Sequence, residues 1–413
     1  MSKFDAQKLK KDFMFFEHNK NLIYLDSAAT TQKPKQVIQT LVDFYEKYNS
    51  NVHRSIHEMG EASTSLYEQA RQDIAKFFNA YPEEVIFTSG TTEGINFIAD
   101  TWGRDNLKSG DYIVTTQVEH HANFLPWLRL IKRNNAKLKF LELDIKTFFI
   151  KNNLDDNNFW DKNIKLLSIS GNSNILSDFW QDNNLQEFID KAHSIGAKVL
   201  LDASQMAPCK KIDVKKLNID FMVLSGHKML APTGIGVLFI KKELHDKVEP
   251  YRVGGSMVQA ASFNDAIWKQ APDKFEAGTP AIAQAIGLGQ AVKYLEKNIN
   301  FKEYEKHTAN LCSLLIDGLL KIKDINIIGN IEQLKKTGHL VSFYLPYIHA
   351  HDLSGFLAGL GVAVRSGHHC AQPLASVLGL VSTVRVSFYI YSTVNDVEIF
   401  LDKLNETIKF FRK

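Results

Sequence analysis

The sequence predicts an α/β fold in two lobes, a large one on a mainly parallel seven-stranded sheet and a smaller α+β one. Three observations carry this. Between residues 84 and 240, short apolar runs alternate with helix-length stretches, as in successive βαβ units. After about residue 298 this alternation gives way to a mixed order of helices and strands. At 413 residues the chain is also too long for one small core. The expected division is residues 22–295 for the large lobe and 1–21 with 296–413 for the small one.

The elements follow in order. Phe4, Leu9, Phe13 and Phe16 form an apolar stripe that predicts a helix over 2–16, and 21–25 reads as a short strand. Pro34 opens a helix running to about Tyr48, as proline does at a first helical position, and another helix covers 64–78. Seven strands are expected at 84–88, 111–116, 138–143, 165–170, 198–202, 221–224 and 236–240, with helices at 94–106, 124–134 and 185–195 between them. The Asn- and Asp-rich stretch 144–163 reads as a surface connection. A helix over 281–298 bridges the lobes. Beyond it come helices at 302–320, 352–360 and 395–411 and strands near 325–328, 339–345 and 383–390.

Composition narrows the class. Forty-nine basic against 46 acidic residues leave a net charge of +3, which predicts neither nucleic-acid nor membrane binding. No apolar run is long enough for a membrane helix, and the first residues lack a signal-peptide core. Three sparse cysteines, at 209, 312 and 370, argue for a reducing, cytoplasmic setting rather than a disulfide framework, and no metal site is expected. Only nine of the basic residues are Arg, so Arg54, Arg365 and Arg385 stand out as candidates for gripping a carboxylate or phosphate.

The chemistry concentrates at strand ends. Asp202 closes the run Val199-Leu200-Leu201, and Lys228 follows Phe221-Met222-Val223-Leu224 through Ser225-Gly226-His227. Ligands of open α/β sheets sit at the carboxyl ends of strands, so both side chains can enter one crevice. A surface lysine and a helix cap would explain either alone. Together they match what pyridoxal 5'-phosphate requires, an amine for a Schiff base and a carboxylate to keep the ring nitrogen protonated. Ser89-Gly90-Thr91-Thr92-Glu93-Gly94 joins a strand to a helix and could cradle a phosphate, with Ser225 and His227 converging on it. His120 in Glu119-His120-His121-Ala122-Asn123 could stack on a planar ring or sit in a polar loop. Cys370 lies in the glycine-containing, cationic loop Val364-Arg365-Ser366-Gly367-His368-His369-Cys370, whose charges would favour its thiolate. Arg385, in an apolar strand, needs an acidic partner, either a substrate carboxylate or a structural Asp or Glu.

In combination these blocks, with Leu25-Asp26-Ser27-Ala28-Ala29-Thr30, Asn51-Val52-His53-Arg54 and Phe275-Glu276-Ala277-Gly278-Thr279-Pro280, resemble the class V aminotransferases of pyridoxal-phosphate fold type I. More narrowly they resemble the SufS/CsdA type of cysteine desulfurase. The resemblance implies a homodimer that converts L-cysteine to L-alanine. The sulfur would pass, as a Cys370 persulfide, to an acceptor of the SufE or SufU type for iron–sulfur cluster assembly. It implies that Lys228 holds the cofactor, Asp202 pairs with the ring nitrogen, Gln205 with the ring hydroxyl, and His120 stacks on the ring and serves in catalysis. Thr91, Thr92, Ser225 and His227 would hold the phosphate, joined by Thr279 of a second subunit. Asn174 and Arg385 would bind substrate, with His53, Arg54 and Arg365 at the sulfur end of the pocket. A selenocysteine lyase would use the same site, and a scaffold of impaired activity would share the fold.

The chain departs from this pattern in places. Where the family usually shows His-Val-Ser-Asn-Val-Leu-Gly, this sequence has Gly171-Asn172-Ser173-Asn174-Ile175-Leu176-Ser177. Ala281-Ile282 stand for Asn-Thr, Leu230-Ala231 for Tyr-Gly, and Val253-Gly254-Gly255-Ser256 for a glycine triplet and glutamate.

Overall fold

A computed structural model describes residues 4–54 and 56–412. The large sheet has seven strands: β1 (Val85–Thr88), β2 (Tyr112–Thr116), β3 (Lys137–Leu141), β4 (Ile164–Ser170), β5 (Lys198–Asp202), β6 (Phe221–Ser225) and β7 (Gly236–Ile240). Their spatial order is β1-β7-β6-β5-β4-β2-β3. Pairing is parallel from β6 through β3, whereas β7 runs antiparallel to both β6 and β1.

The continuous apolar runs are explained by burial on both faces. Within β4, β5 and β6, Leu167, Ile169, Leu201, Met222 and Leu224 enter one core. Their neighbours Leu166, Leu200, Phe221 and Val223 enter a second core across the sheet. Successive side chains of a strand point to opposite faces, so a run without alternation feeds two cores at once.

The smaller lobe carries an antiparallel sheet of β8 (Asn326–Ile328), β9 (Leu340–Tyr344), β10 (Arg365–Gly367) and β11 (Thr383–Ser387), in the order β8-β9-β11-β10. Its own core includes Leu311, Leu315, Val341, Phe343, Leu353, Val386 and Phe400. Ile23–Tyr24 pairs in parallel with Val362–Ala363, and Asp26 bridges to Ser387. Residues 23–26 are thereby hydrogen-bonded to the small lobe, just upstream of the turn that reaches the cleft.

Several local features differ from expectation, among them an earlier start, at Glu58, for the helix expected over 64–78 and additional helices at Ile331–Thr337 and Gln372–Val377. The helix expected over 2–16 is split into Ala6–Lys10 and Met14–His18. Phe13 between them is extended and fully buried, its ring 4.9 Å from that of Tyr391, so packing interrupts the helix. The helix from Lys35 turns into a π-helical stretch at Phe44–Tyr48. A hairpin, Val258–Ala261 with Ala266–Trp268, appears where no strand was expected and exposes Phe263 near its tip.

Between the long helix Glu58–Phe78 and the 275–280 loop lies an ion pair. Arg71 donates to the two Glu276 oxygens at 2.8 and 2.9 Å. The Tyr67 hydroxyl and the Phe87 amide complete the carboxylate's shell, each at 2.8 Å. Glu276 thus fixes the loop bearing Thr279 to the body of the large lobe.

Candidate active site

The carboxyl ends of β4, β5 and β6 open into a cleft of about 220 Å³. Its walls include Lys228, Asp202, Gln205, His120, Thr91, Thr92, Ser225, His227, Asn174, Arg365, Arg385 and Cys370. Twelve side chains singled out from the sequence are therefore brought together. His53, Arg54 and Thr279 do not line this cleft. His53 pairs with Glu68 at 2.9 Å on the surface, and Arg54 is exposed. Thr279 borders a separate groove with Ser89, Glu93 and Arg252.

Lys228 ends a one-turn helix after β6, and Asp202 ends β5, its Cα paired with that of Val223. The turn bearing Lys228 is clamped through the carbonyl of His227. That oxygen receives the Thr31 amide at 3.0 Å, the Thr31 and Thr30 hydroxyls at 3.0 and 3.2 Å, and Lys33 Nζ at 2.9 Å. Desolvation in the cleft lowers Lys228 from 10.5 to about 8, with Arg385 and Arg365 acting the same way and Asp202 opposing. Asp202 is raised from its ordinary value by burial, against an amide hydrogen bond from Ser204 at 2.9 Å. A lysine with an accessible neutral form therefore sits beside a buried carboxylate.

The glycine-containing turn after β1 brings a helix N-terminus to the same place. A Cβ on Gly236 would lie 2.5 Å from the Gly90 Cα, so only glycine lets the two backbones approach. This sets Thr91 beside Ser225, whose hydroxyl accepts the Thr91 amide at 3.0 Å and donates to the Thr91 hydroxyl at 2.9 Å. Ser204 joins the cluster, 2.6 Å from the Thr91 hydroxyl. Three hydroxyls and the start of helix Thr91–Ile98 suit a phosphate.

Opposite stands the loop after β10. His369 and Cys370 both have positive φ, 51° and 57°, a conformation costing about 1–3 kcal/mol for each non-glycine residue. It is held by Asn174, whose amide donates to the His369 carbonyl at 2.6 Å, and by the His121 amide, which donates to the Cys370 carbonyl at 2.8 Å. Cys370 is exposed, whereas Cys209 and Cys312 are buried, and burial pushes Cys209 up to about 12. His369 falls to about 3 and His120 to about 4, both chiefly by desolvation, so these imidazoles are neutral near pH 7. The cationic groups that share the cleft with the thiol near pH 7 are thus Arg365, Arg385 and Lys228 rather than these two histidines.

Arg385 is 2% exposed and makes a 3.0 Å salt bridge to Asp26. It also donates to the Asn174 carbonyl at 3.0 Å, while its Nε has no partner among the described residues. A structural aspartate is thus present, and three of the five guanidinium N–H groups, Nε–H among them, are left for other partners. Among the described residues no group of three or more His, Cys, Asp or Glu is arranged to hold a metal ion, and no helix is long and apolar enough to cross a membrane.

A family model for aminotransferase class-V matches residues 23–400. The chain belongs to the class-V aminotransferase family. A probable cysteine desulfurase of Staphylococcus aureus is 44% identical over 99% of this chain and 98% of its own length. Among solved structures, the cysteine desulfurase CsdA of Escherichia coli superposes with a TM-score of 0.90 at 34% identity, covering 99% of this chain and 100% of that one. A cysteine desulfurase of Thermococcus onnurineus gives 0.91 at 36% identity, covering 99% of each. Sequence reasoning gave no role to several residues of this class-V aminotransferase chain: Asn172 and Ser204, which line the cleft, and Asp26, Thr30, Thr31 and Lys33, which brace its Arg385 and His227. Asp26, Thr30 and Asn172 stood in quoted stretches without a role of their own, and the partners of Asp26 and Thr30 lie far along the chain.

Proposed function

We propose that this protein is a pyridoxal-phosphate-dependent cysteine desulfurase that passes sulfur from L-cysteine through a Cys370 persulfide. The observation that carries this is one cleft lined by Lys228, Asp202, Arg385 and an exposed Cys370. The residues fit the cofactor: a desolvated amine, a buried carboxylate one strand away, and a hydroxyl cluster at a helix N-terminus. When bound, pyridoxal phosphate supplies an aldehyde for amine exchange and a ring able to take up electrons.

Each residue then has a physical task. The lowered Lys228 amine can be neutral, hence nucleophilic, near physiological pH, and once displaced by substrate it can move the Cα proton. Asp202 holds a proton at the ring nitrogen by its charge, and Gln205 addresses the ring hydroxyl. Neutral His120 offers a flat face for stacking. Thr91, Thr92, Ser225 and His227 take the phosphate, with Ser204 added by its place in the hydroxyl cluster. Arg385 and Asn174 grip the substrate carboxylate. The Cys370 thiolate bonds to the substrate sulfur as the Cβ–Sγ bond breaks; that bond's electron pair stays with the carbon skeleton, and a proton added at Cβ completes the alanine side chain.

We read the protein as a cytoplasmic homodimer, with residues 22–295 as the cofactor-binding domain and the remainder as the domain carrying Cys370. Thr279, His53 and Arg54 then serve across the subunit interface. Exposed Ile38, Val42, Tyr45 and Met59 support such an interface. The persulfide would be drawn off by an acceptor of the SufE or SufU type for iron–sulfur cluster assembly. The test is an absorbance spectrum of the purified protein, followed by mass spectrometry after exposure to L-cysteine. A visible cofactor band and 32 Da on the Cys370 peptide, about the mass of one sulfur atom, are expected. No band, or sulfur on Cys209 alone, refutes the assignment.

A further inference from the structure

Asn172 lines the cleft, is 3% exposed, and neither end of its side-chain amide has a hydrogen-bond partner among the described residues. A buried amide left in this state is costly, so its persistence points to a ligand. Its position says which part of the ligand. Ser170 faces Asp202 across the β4–β5 pairing, and the Gly171 amide donates to the Asp202 carbonyl at 2.9 Å. Gly171 then lies so close to the chain after Asp202 that a Cβ there would fall 2.5 Å from Met206 Sδ. The loop bearing Asn172 therefore runs against the Asp202–Met206 segment. Ser170 is already spent on Glu119, through its amide at 3.0 Å and its hydroxyl at 2.5 Å. Asn174, two residues on, is turned towards the Cys370 loop.

We propose that the Asn172 amide hydrogen-bonds the ring edge of the pyridoxal-phosphate cofactor, beside Asp202 and Gln205. The valine usual at this place in the family has no polar atom with which to make this contact. The inference rests on the cofactor reading above and adds a residue to it.

The test uses Asn172→Leu, nearly isosteric, and Asn172→Val. Two measurements should move in opposite directions. Without cofactor, both variants should melt at a higher temperature than the parent, because an unpaired buried amide has been removed. Titration with pyridoxal phosphate, followed by fluorescence quenching, should show about tenfold weaker binding, the size of one neutral hydrogen bond. Unchanged cofactor affinity in both variants overturns the proposal, as does unchanged affinity with a raised KM for L-cysteine, which would assign Asn172 to the substrate. Lower melting temperatures in both cofactor-free variants would mark a structural amide and overturn it too. A parent protein that takes up no pyridoxal phosphate would overturn the functional reading and this contact with it.

Discussion

Lys228→Met tests the electrostatic setting of the cleft without any ligand. In the unfolded chain the amine keeps its ordinary value of 10.5, and in the folded protein desolvation holds it at about 8. Below pH 8 both states are charged, and the folded state carries that charge at a disadvantage. Roughly 2.5 pH units at about 1.36 kcal/mol each give about 3 kcal/mol. Between about pH 8 and 10.5 the unfolded chain binds the extra proton, so this group makes stability rise with pH through that window, and above it the disadvantage is gone. The cleft wets part of the side chain, so about 3 kcal/mol is a ceiling. Methionine keeps the length without the charge. Cofactor-free Lys228→Met should therefore be more stable than the parent near pH 7 by up to about 3 kcal/mol, and the advantage should fade by about pH 10. Urea unfolding of both proteins without cofactor, across that range, measures the difference. Equal midpoints near pH 7, or a gap that does not close as pH rises, refute the reasoning.

Cys370→Ser should keep the cofactor band and its response to L-cysteine, yet form no protein persulfide, because a serine hydroxyl is neither polarisable nor acidic enough to attack sulfur; mass spectrometry checks this. Glu276→Gln leaves the buried Arg71 with only the partly exposed Glu68 as an acidic partner and should cost up to about 3 kcal/mol, read by chemical denaturation. Asp26→Asn removes the acidic partner of Arg385 and should raise KM for L-cysteine more than it lowers kcat. Steady-state kinetics decides, and an unchanged KM would separate Asp26 from substrate binding.

Most strands of the large sheet were legible because they are buried on both faces and leave a short, mainly apolar run in the sequence; the edge strand β3, with Lys137 and Lys139, is the exception. Six of the seven strands end within one residue of where those runs end, and β3 stops two short, since Glu142 and Leu143 continue the chain without its pairing. Lys228 and Asp202 were legible for the same reason: a charged residue at the end of such a run has nowhere to go but the crevice. The hairpin at 258–268 was invisible because its strands are short and largely exposed, so no burial pattern was written into them. Packing that breaks a helix, as Phe13 does, is likewise a tertiary fact with no local mark.

What holds the site depends on pairs far apart in the chain, and this is where sequence reasoning ran out. Asp26 meets Arg385 across 359 positions, and Lys33 reaches the His227 carbonyl across 194. No periodicity records such a meeting. The even choice between a structural and a substrate carboxylate for Arg385 was a real ambiguity, because the guanidinium has donors enough for both. It spends one N–H on Asp26 and one on the Asn174 carbonyl and keeps Nε unpaired. Asp26 therefore does not compete with a substrate. It offsets the desolvation that pulls Arg385 below its ordinary value, and so keeps the buried guanidinium charged and aimed. Because Asp26 itself hangs on the Leu25–Ser387 hydrogen bond, the orientation of the arginine is tied to the docking of residues 23–26 on the small lobe. The same lobe carries Cys370 on the loop after the strand paired with that of Arg385, so the group that would grip the substrate and the thiol that would take its sulfur come from neighbouring strands of one sheet.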